Sequence, residues 1–252
     1  MKIYNHIKSI IDEKGAAFFI LLDPDKVNLN RLEEFIKIAE ESGVDGFLIG
    51  GSLMMSGDFE ELVKKVKSFS SLPIIIFPGS ITQVSNYADA ILFISVISGR
   101  NAEHIIGKQV LAAPLIKKAG IEALGTGYIL VDSGLTTTAV YMSGSFPVPR
   151  NKPDIAAATA LAAEYLGMKF VYLEAGSGAQ LSVPNEMVKA VSKVCSIPII
   201  VGGGLRDPKD VADKVNCGAS IIIAGNFFED EKNWSSIKDF ASATHLKKGI
   251  IV

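Results

Sequence analysis

Apolar residues recur along the chain in two alternating rhythms. Short runs of β-branched and aromatic residues stop abruptly at Gly, Pro, Asp or Ser, and longer stretches with apolar positions three and four apart follow them. The short runs cover residues 18–22, 46–49, 73–77, 90–94, part of 123–131, 170–174, a run starting at Pro198, and 220–224. Each is too short for a helix and apolar on both faces, the pattern of a strand buried in a parallel sheet. The longer stretches predict helices over 58–69, 103–118, 153–166, 184–194 and 234–245, one opened by Arg206-Asp207-Pro208, and one capped by Asn30 that runs to Glu41 and closes at Gly43. Ile3, Ile7, Ile10 and Ile11 give helical spacing to residues 4–14 before Gly15 stops them, a leading helix able to plug a barrel floor. After Pro78-Gly79, residues 81–87 are short and weakly patterned, so the third helix is expected to be stunted. Gly107 and Pro114 oppose one unbroken rod in 103–118. Eight strand-to-helix units of roughly thirty residues predict an α/β fold of the (β/α)8 TIM-barrel type rather than an open doubly wound sheet.

Length and composition narrow this further. The chain's 252 residues fit one barrel domain, 1–252, almost unmodified. A hydrophobic fraction of 48% with 21% charged residues describes a large globular core, and no apolar stretch reaches the roughly 18 residues of a membrane span. The opening residues lack the apolar core of a secretory signal, so a cytoplasmic protein is expected. A net charge of −2 argues against a nucleic-acid partner. Cys195 and Cys217, without metal-ligand spacing, are expected to be buried free thiols.

The polar and glycine clusters fall just after strands, which in a barrel gathers them at one mouth. Three glycine-containing stretches, Glu174-Ala175-Gly176-Ser177-Gly178, Gly202-Gly203-Gly204 and Gly225-Asn226, end the last three strands. Bare backbone there lets amide groups approach an anion, and loops seven and eight are the usual phosphate site, so Gly203, Gly204, Gly225 and Asn226 read as a phosphate cup. Asp23 and Asp25 flank Pro24 after the first strand, where an unpaired carboxylate is costly; hard oxygen ligands there suit Mg²⁺. Helix capping or pairing with Lys26 would explain the same residues. Ser52, after Gly50-Gly51, would add a hydroxyl ligand or simply form a turn. Glu174 beside the cup reads as a general base, or as an ion-pair partner of Lys169 or Arg206. His6, His104 and His245 all fall in predicted helices, away from the strand ends. The stretch 132–152, rich in Ser, Thr, Gly and Pro, is long enough to be a functional lid. Two anion demands thus share one mouth, as an enzyme joining two phosphate-bearing substrates would need.

These residues resemble the geranylgeranylglyceryl phosphate synthase family, the prenyltransferases also described as PcrB-like. The likeness runs from Phe18 to Phe227 through Leu22-Asp23-Pro24-Asp25, Gly50-Gly51-Ser52, Tyr172-Leu173-Glu174-Ala175-Gly176-Ser177-Gly178, Val201-Gly202-Gly203-Gly204 and Ala224-Gly225-Asn226. The long Tyr-Leu-Glu-Ala-Gly-Ser-Gly form looks like the family's second group. The resemblance implies that sn-glycerol 1-phosphate is bound by Tyr172, Leu173, Glu174, Ala175, Gly176, Ser177, Gly178, Gly203, Gly204, Gly225 and Asn226, and Mg²⁺ by Asp23 and Ser52. It implies a polyprenyl diphosphate as second substrate, Glu174 as the base, Tyr172 as the residue orienting the glycerol, a homo-oligomer, and transient contact with a membrane surface for the product. Phe93, Ile97 and Leu111 are candidates for the prenyl groove, with core packing as the alternative for each. Two other readings remain open here: a phosphate-binding barrel of another class, FMN-dependent or a sugar-phosphate isomerase, and a non-catalytic phosphate-ligand binder.

Overall fold

Residues 2–246 are described in a computed structural model. Strands β1 (Ala17–Leu22), β2 (Gly46–Ile49), β3 (Ile74–Ile76), β4 (Ala90–Val96), β5 (Glu122–Leu130), β6 (Phe170–Glu174), β7 (Ile199–Gly202) and β8 (Ile221–Ala224) pair in sequence order. All are parallel, and β8 returns to β1, so the sheet is a closed barrel. The two apolar faces of each run have separate destinations. Phe19, Leu48, Ile75, Phe170, Ile200 and Ile223 fill the interior, whereas Phe18, Phe47, Ile74, Val171 and Ile222 pack outward under the helices.

Helix α1 (Ile3–Lys14) closes the barrel floor. Its Ile7 and Ile10 are buried in the interior cluster, and Tyr4 meets Phe170 edge-on at 5.5 Å. The outer layer is α2 (Leu32–Glu41), α3 (Phe59–Phe69), α4 (Lys108–Ala119), α5 (Thr138–Ser143), α6 (Pro153–Tyr165), α7 (Asn185–Ser192), α8 (Pro208–Asn216) and α9 (Ile237–Thr244). Asp58 and Asp207 cap α3 and α8 through their side chains. Asn30 does not cap α2: the capping position is Arg31, and the Asn30 N–H is turned to Asn28 Oδ1 at 3.1 Å. Cys195 and Cys217 are free but half-buried, with the Cys195 thiol pushed up to about 11 by burial.

Two crossovers depart from the repeat. Residues 81–87 form turns and no helix at all, because Ser80 and Ser85 accept from the Thr82 and Tyr87 N–H groups and so compete with helical bonding. After β4, a five-residue π-helical turn, Glu103–Gly107, leads into α4, which carries Pro114 in its interior. The predicted 103–118 helix is therefore two segments, and Gly107 marks their junction.

A buried carboxylate locks the floor. Asp45, at the foot of β2, accepts from Phe18 N (2.8 Å), Lys14 Nζ (2.5 Å) and His245 Nε2 (2.8 Å), joining α1, β1 and the end of α9. Burial alone would raise its pKa, but the bonds from His245, Lys14 and Phe18 outweigh it and hold the carboxyl below its ordinary value. A depressed folded pKa stabilises above the unfolded value of about 4 and loses that contribution as pH falls through the folded one. Asp45→Asn is expected to cost about 2–3 kcal/mol at neutral pH, roughly 5–10 °C in Tm. The variant should also lose less stability than wild type below pH ~4; parallel Tm-against-pH curves would show that Asp45 is not the linked group.

Candidate active site

The strand ends open into one cavity of ≈ 460 Å³ at the C-terminal mouth of the barrel. Its floor is aromatic. Phe77 at the end of β3 stacks on Tyr172 at 5.4 Å, and Tyr128 meets both rings edge-on, at 5.9 and 5.1 Å. Tyr128 and Tyr172 are directly opposed in the β5–β6 register, so both hydroxyls arrive at the same height.

Glu174 ends β6 above this floor and is 5% exposed. Its Oε1 accepts from Gly176 N at 2.5 Å, and the hydroxyls of Tyr172 and Tyr128 are its neighbours on the floor side. Burial raises the Glu174 pKa, and the Gly176 N–H, followed by the neighbouring Tyr172 and Tyr128 hydroxyls, partly offsets the rise. Both phenols are in turn pushed well above their usual range, first by burial and then by the Glu174 charge, so they remain donors. The alternative ion pairs do not form: Lys169 Nζ lies 3.2 Å from Glu122, and Arg206 donates to Ala179 O at 2.8 Å. Sequence reasoning misses Tyr128, whose part in the site depends on strand pairing rather than on any local motif.

Beside Glu174, the cavity wall is backbone. The N–H groups of Gly203, Gly204, Gly225 and Asn226 have no acceptor among the described residues, and all four residues line the cavity. Gly203 has φ +80°, and a Cβ there would strike Glu174 Oε1 and Gly176 N, so the turn admits only glycine. The Asn226 side chain acts as a clasp: its Oδ1 accepts from Ser177 Oγ (2.5 Å) and Gly178 N (2.9 Å), and its Nδ2 donates to Glu229 (2.8 Å). Gly176 and Gly178 therefore spend their N–H groups inside the protein. Leu173 and Ala175 face the outer core and stand behind the cavity wall.

Across the mouth lies the acidic corner. Asp23 lines the cavity, and burial raises its pKa, against a lowering first by the Asp25 N–H and then by Lys26. Its Oδ1 accepts from Asp25 N at 3.0 Å, while Oδ2 has no hydrogen bond or ion pair among the described residues. Lys26 turns instead to Glu229, at 3.6 Å. Ser52 lines the same corner, and its hydroxyl also has no protein partner among the described residues. A carboxylate and a hydroxyl, both hard oxygen donors with spare capacity, fit a cation such as Mg²⁺ that keeps most of its waters. Among the described residues there is no group of three or more His, Cys, Asp or Glu side chains that could hold a metal. Asp25 is engaged elsewhere. Its carboxylate accepts from the N–H groups of Met55 (2.7 Å), Ser56 (2.9 Å) and Gly57 (2.5 Å), which hold its pKa low.

The rest of the cavity is apolar and wraps both faces of β4. Leu92, Ile94 and Val96 line it from inside the barrel, and Ile91 and Phe93 from outside, with Ile116 of α4 opposite. A full helix after β3 would occupy that outer space. Of the three apolar candidates only Phe93 lines the cavity; Ile97 packs against the outer core and Leu111 is 58% exposed. His104 does reach the wall, carried there by the π-helical turn, and burial lowers its pKa. The 132–152 stretch contains α5, whose Thr138, Ala139, Met142 and Ser143 form one side of the cavity.

Comparison with known proteins places this geometry. A family model described as the PcrB family matches residues 8–244. The chain is 45% identical to the geranylgeranylglyceryl phosphate synthase of Chitinophaga pinensis, covering 99% of this chain and 98% of that protein. It is 41% identical to the synthase of the same name from Pyrococcus horikoshii, over 95% and 93% of the two chains. The crystal structure of (S)-3-O-geranylgeranylglyceryl phosphate synthase from Thermoplasma acidophilum, a complex with its substrate sn-glycerol-1-phosphate, superposes with a TM-score of 0.90 at 29% identity, covering 97% and 99% of the chains. The chain belongs to the PcrB family.

Proposed function

We propose that this protein is a prenyltransferase that joins a polyprenyl diphosphate to sn-glycerol 1-phosphate, giving a prenylglyceryl phosphate ether and diphosphate. The observation that carries the reading is the shared cavity. One space is lined by a cup of unpaired backbone N–H groups, a buried carboxylate, a second corner of free oxygen donors and a long apolar channel. The activity for which the relatives are named, and the glycerol phosphate held by the Thermoplasma acidophilum protein, support the same assignment.

In this reading the phosphate of glycerol 1-phosphate sits on the N–H groups of Gly203, Gly204, Gly225 and Asn226. Tyr172 and Tyr128 fix the Glu174 carboxylate so that it faces the free terminal hydroxyl. That hydroxyl attacks the allylic carbon; the new C–O ether bond forms as the bond to diphosphate breaks, and the electron pair leaves with diphosphate. The released proton passes to Glu174, whose burial makes it a stronger base than an exposed carboxylate. Asp23 and Ser52 would hold Mg²⁺, which supplies charge neutralisation at the leaving diphosphate. The channel around β4 excludes water from the prenyl chain. A homo-oligomer and a geranylgeranyl-length chain belong to the same reading.

A fixed cup at one end and a fixed base at the other make a chiral site. Incubation with Mg²⁺, a series of prenyl diphosphates and either enantiomer of the glycerol phosphate, read by mass spectrometry, should give ether product with the sn-1 form and far less with sn-3. Equal product from both enantiomers would contradict the placement of Glu174 opposite the cup.

A further inference from the structure

The loops after β2 and β3 meet at the acidic corner with no side chain between them. A Cβ on Gly79 would fall on the Gly51 carbonyl, so backbone lies directly against backbone. One buried amide uses this approach. Gln83, 4% exposed, accepts from Gly79 N through Oε1 at 2.8 Å and donates from Nε2 to Gly51 O at 3.2 Å. Gly51 immediately precedes Ser52. On the far side of Ser52, Asp25 gathers the Met55, Ser56 and Gly57 N–H groups. The few residues that carry Ser52 are thus anchored at both ends, by Gln83 in front and Asp25 behind. Asp25 lines the cavity, whereas Gln83 lies outside its lining.

We propose that Gln83 is a positioning residue for the diphosphate end of the site: it holds the Gly51–Ser52 backbone at the spacing from Asp23 that a cation carrying a diphosphate needs. The inference rests on the two-anion reading above. Gln83 acts through two neutral hydrogen bonds from outside the cavity, and none of its contacts reaches the loops after β6, β7 and β8. Its effect should therefore be confined to one substrate. The glycerol phosphate cup is built on Gly203, Gly204, Gly225 and Asn226, across the mouth.

The test uses Mn²⁺ as a paramagnetic stand-in, since it accepts the same oxygen ligands. Mn²⁺ binding in the presence of inorganic diphosphate is followed by electron paramagnetic resonance, and sn-glycerol 1-phosphate binding by calorimetry, on the full chain. In Gln83→Met, which keeps length but neither hydrogen bond, the Mn²⁺–diphosphate affinity should fall about tenfold, the loss expected for two neutral bonds. Glycerol phosphate affinity should stay at the wild-type value. Gln83→Glu keeps the acceptor for Gly79 N–H but sets a carboxylate oxygen against the Gly51 carbonyl, so it too should weaken Mn²⁺–diphosphate and leave glycerol phosphate binding unchanged. A wild type that binds the pair while both variants bind it equally well would overturn the positioning role and leave the two-anion reading standing. Equal weakening of both ligands would also overturn it, by showing a general loosening of the barrel. A wild type with no affinity for Mn²⁺–diphosphate would remove the two-anion reading, and the inference with it.

Discussion

Glu174→Gln is expected to lower the single-turnover rate by about 10²- to 10⁴-fold, the usual contribution of a general base, while both substrates still bind. The geometry makes this separation possible. The glutamine carbonyl can still accept from Gly176 N–H, and the Tyr172 and Tyr128 hydroxyls can rotate to accept from the new amide, so the pocket keeps its shape. What is lost is the ability to take a proton. The wild-type rate should also rise with pH through a pKa above the ordinary glutamate value of about 4.3, because burial raises that of Glu174. The glutamine variant should lack that limb. If Glu174 only supported the fold, the substitution would lower Tm and leave the rate and its pH profile nearly unchanged.

Much of this arrangement is legible in the chain because the barrel gathers every strand end at one mouth. A charged or glycine residue closing a fully apolar run, as at Glu174, Gly203 or Asp23, announces itself without any knowledge of neighbours. Tyr128 does not. It lies in Gly125-Thr126-Gly127-Tyr128, and its role depends on the pairing of β5 with β6 that sets it opposite Tyr172. Asp25 shows the converse limit. Its place beside Asp23 suggests a ligand, but its oxygens are taken by the N–H groups of residues 55–57, which only the closed sheet brings within reach. The side-chain clasp of Asn226 is hidden for the same reason: Ser177 and Gly178 come from a different strand end. The weak pattern of residues 81–87 is a better guide. It points to a missing layer, and the apolar cavity runs where that layer would be.

Asp23→Ala should lower turnover by about 10²- to 10³-fold, since a ligand to the neutralising cation supports several kcal/mol of leaving-group charge. The fold should survive. Burial raises the Asp23 pKa, so folding gains nothing from its carboxylate, and its one internal bond, from Asp25 N, is worth about 1 kcal/mol. Normal turnover at ordinary Mg²⁺ concentration would remove Asp23 from the metal corner.

The proposed reaction requires two anionic ligands in one mouth together, one on backbone amides and one at the Asp23–Ser52 corner. The decisive experiment is calorimetric titration of sn-glycerol 1-phosphate into protein already saturated with Mg²⁺ and an unreactive prenyl thiolodiphosphate. Glycerol phosphate should bind without displacing the prenyl ligand, and Asp23→Ala should lose the prenyl ligand while keeping glycerol phosphate. Mutual displacement of the two ligands, as a barrel with a single phosphate cup would give, would refute the two-anion mouth.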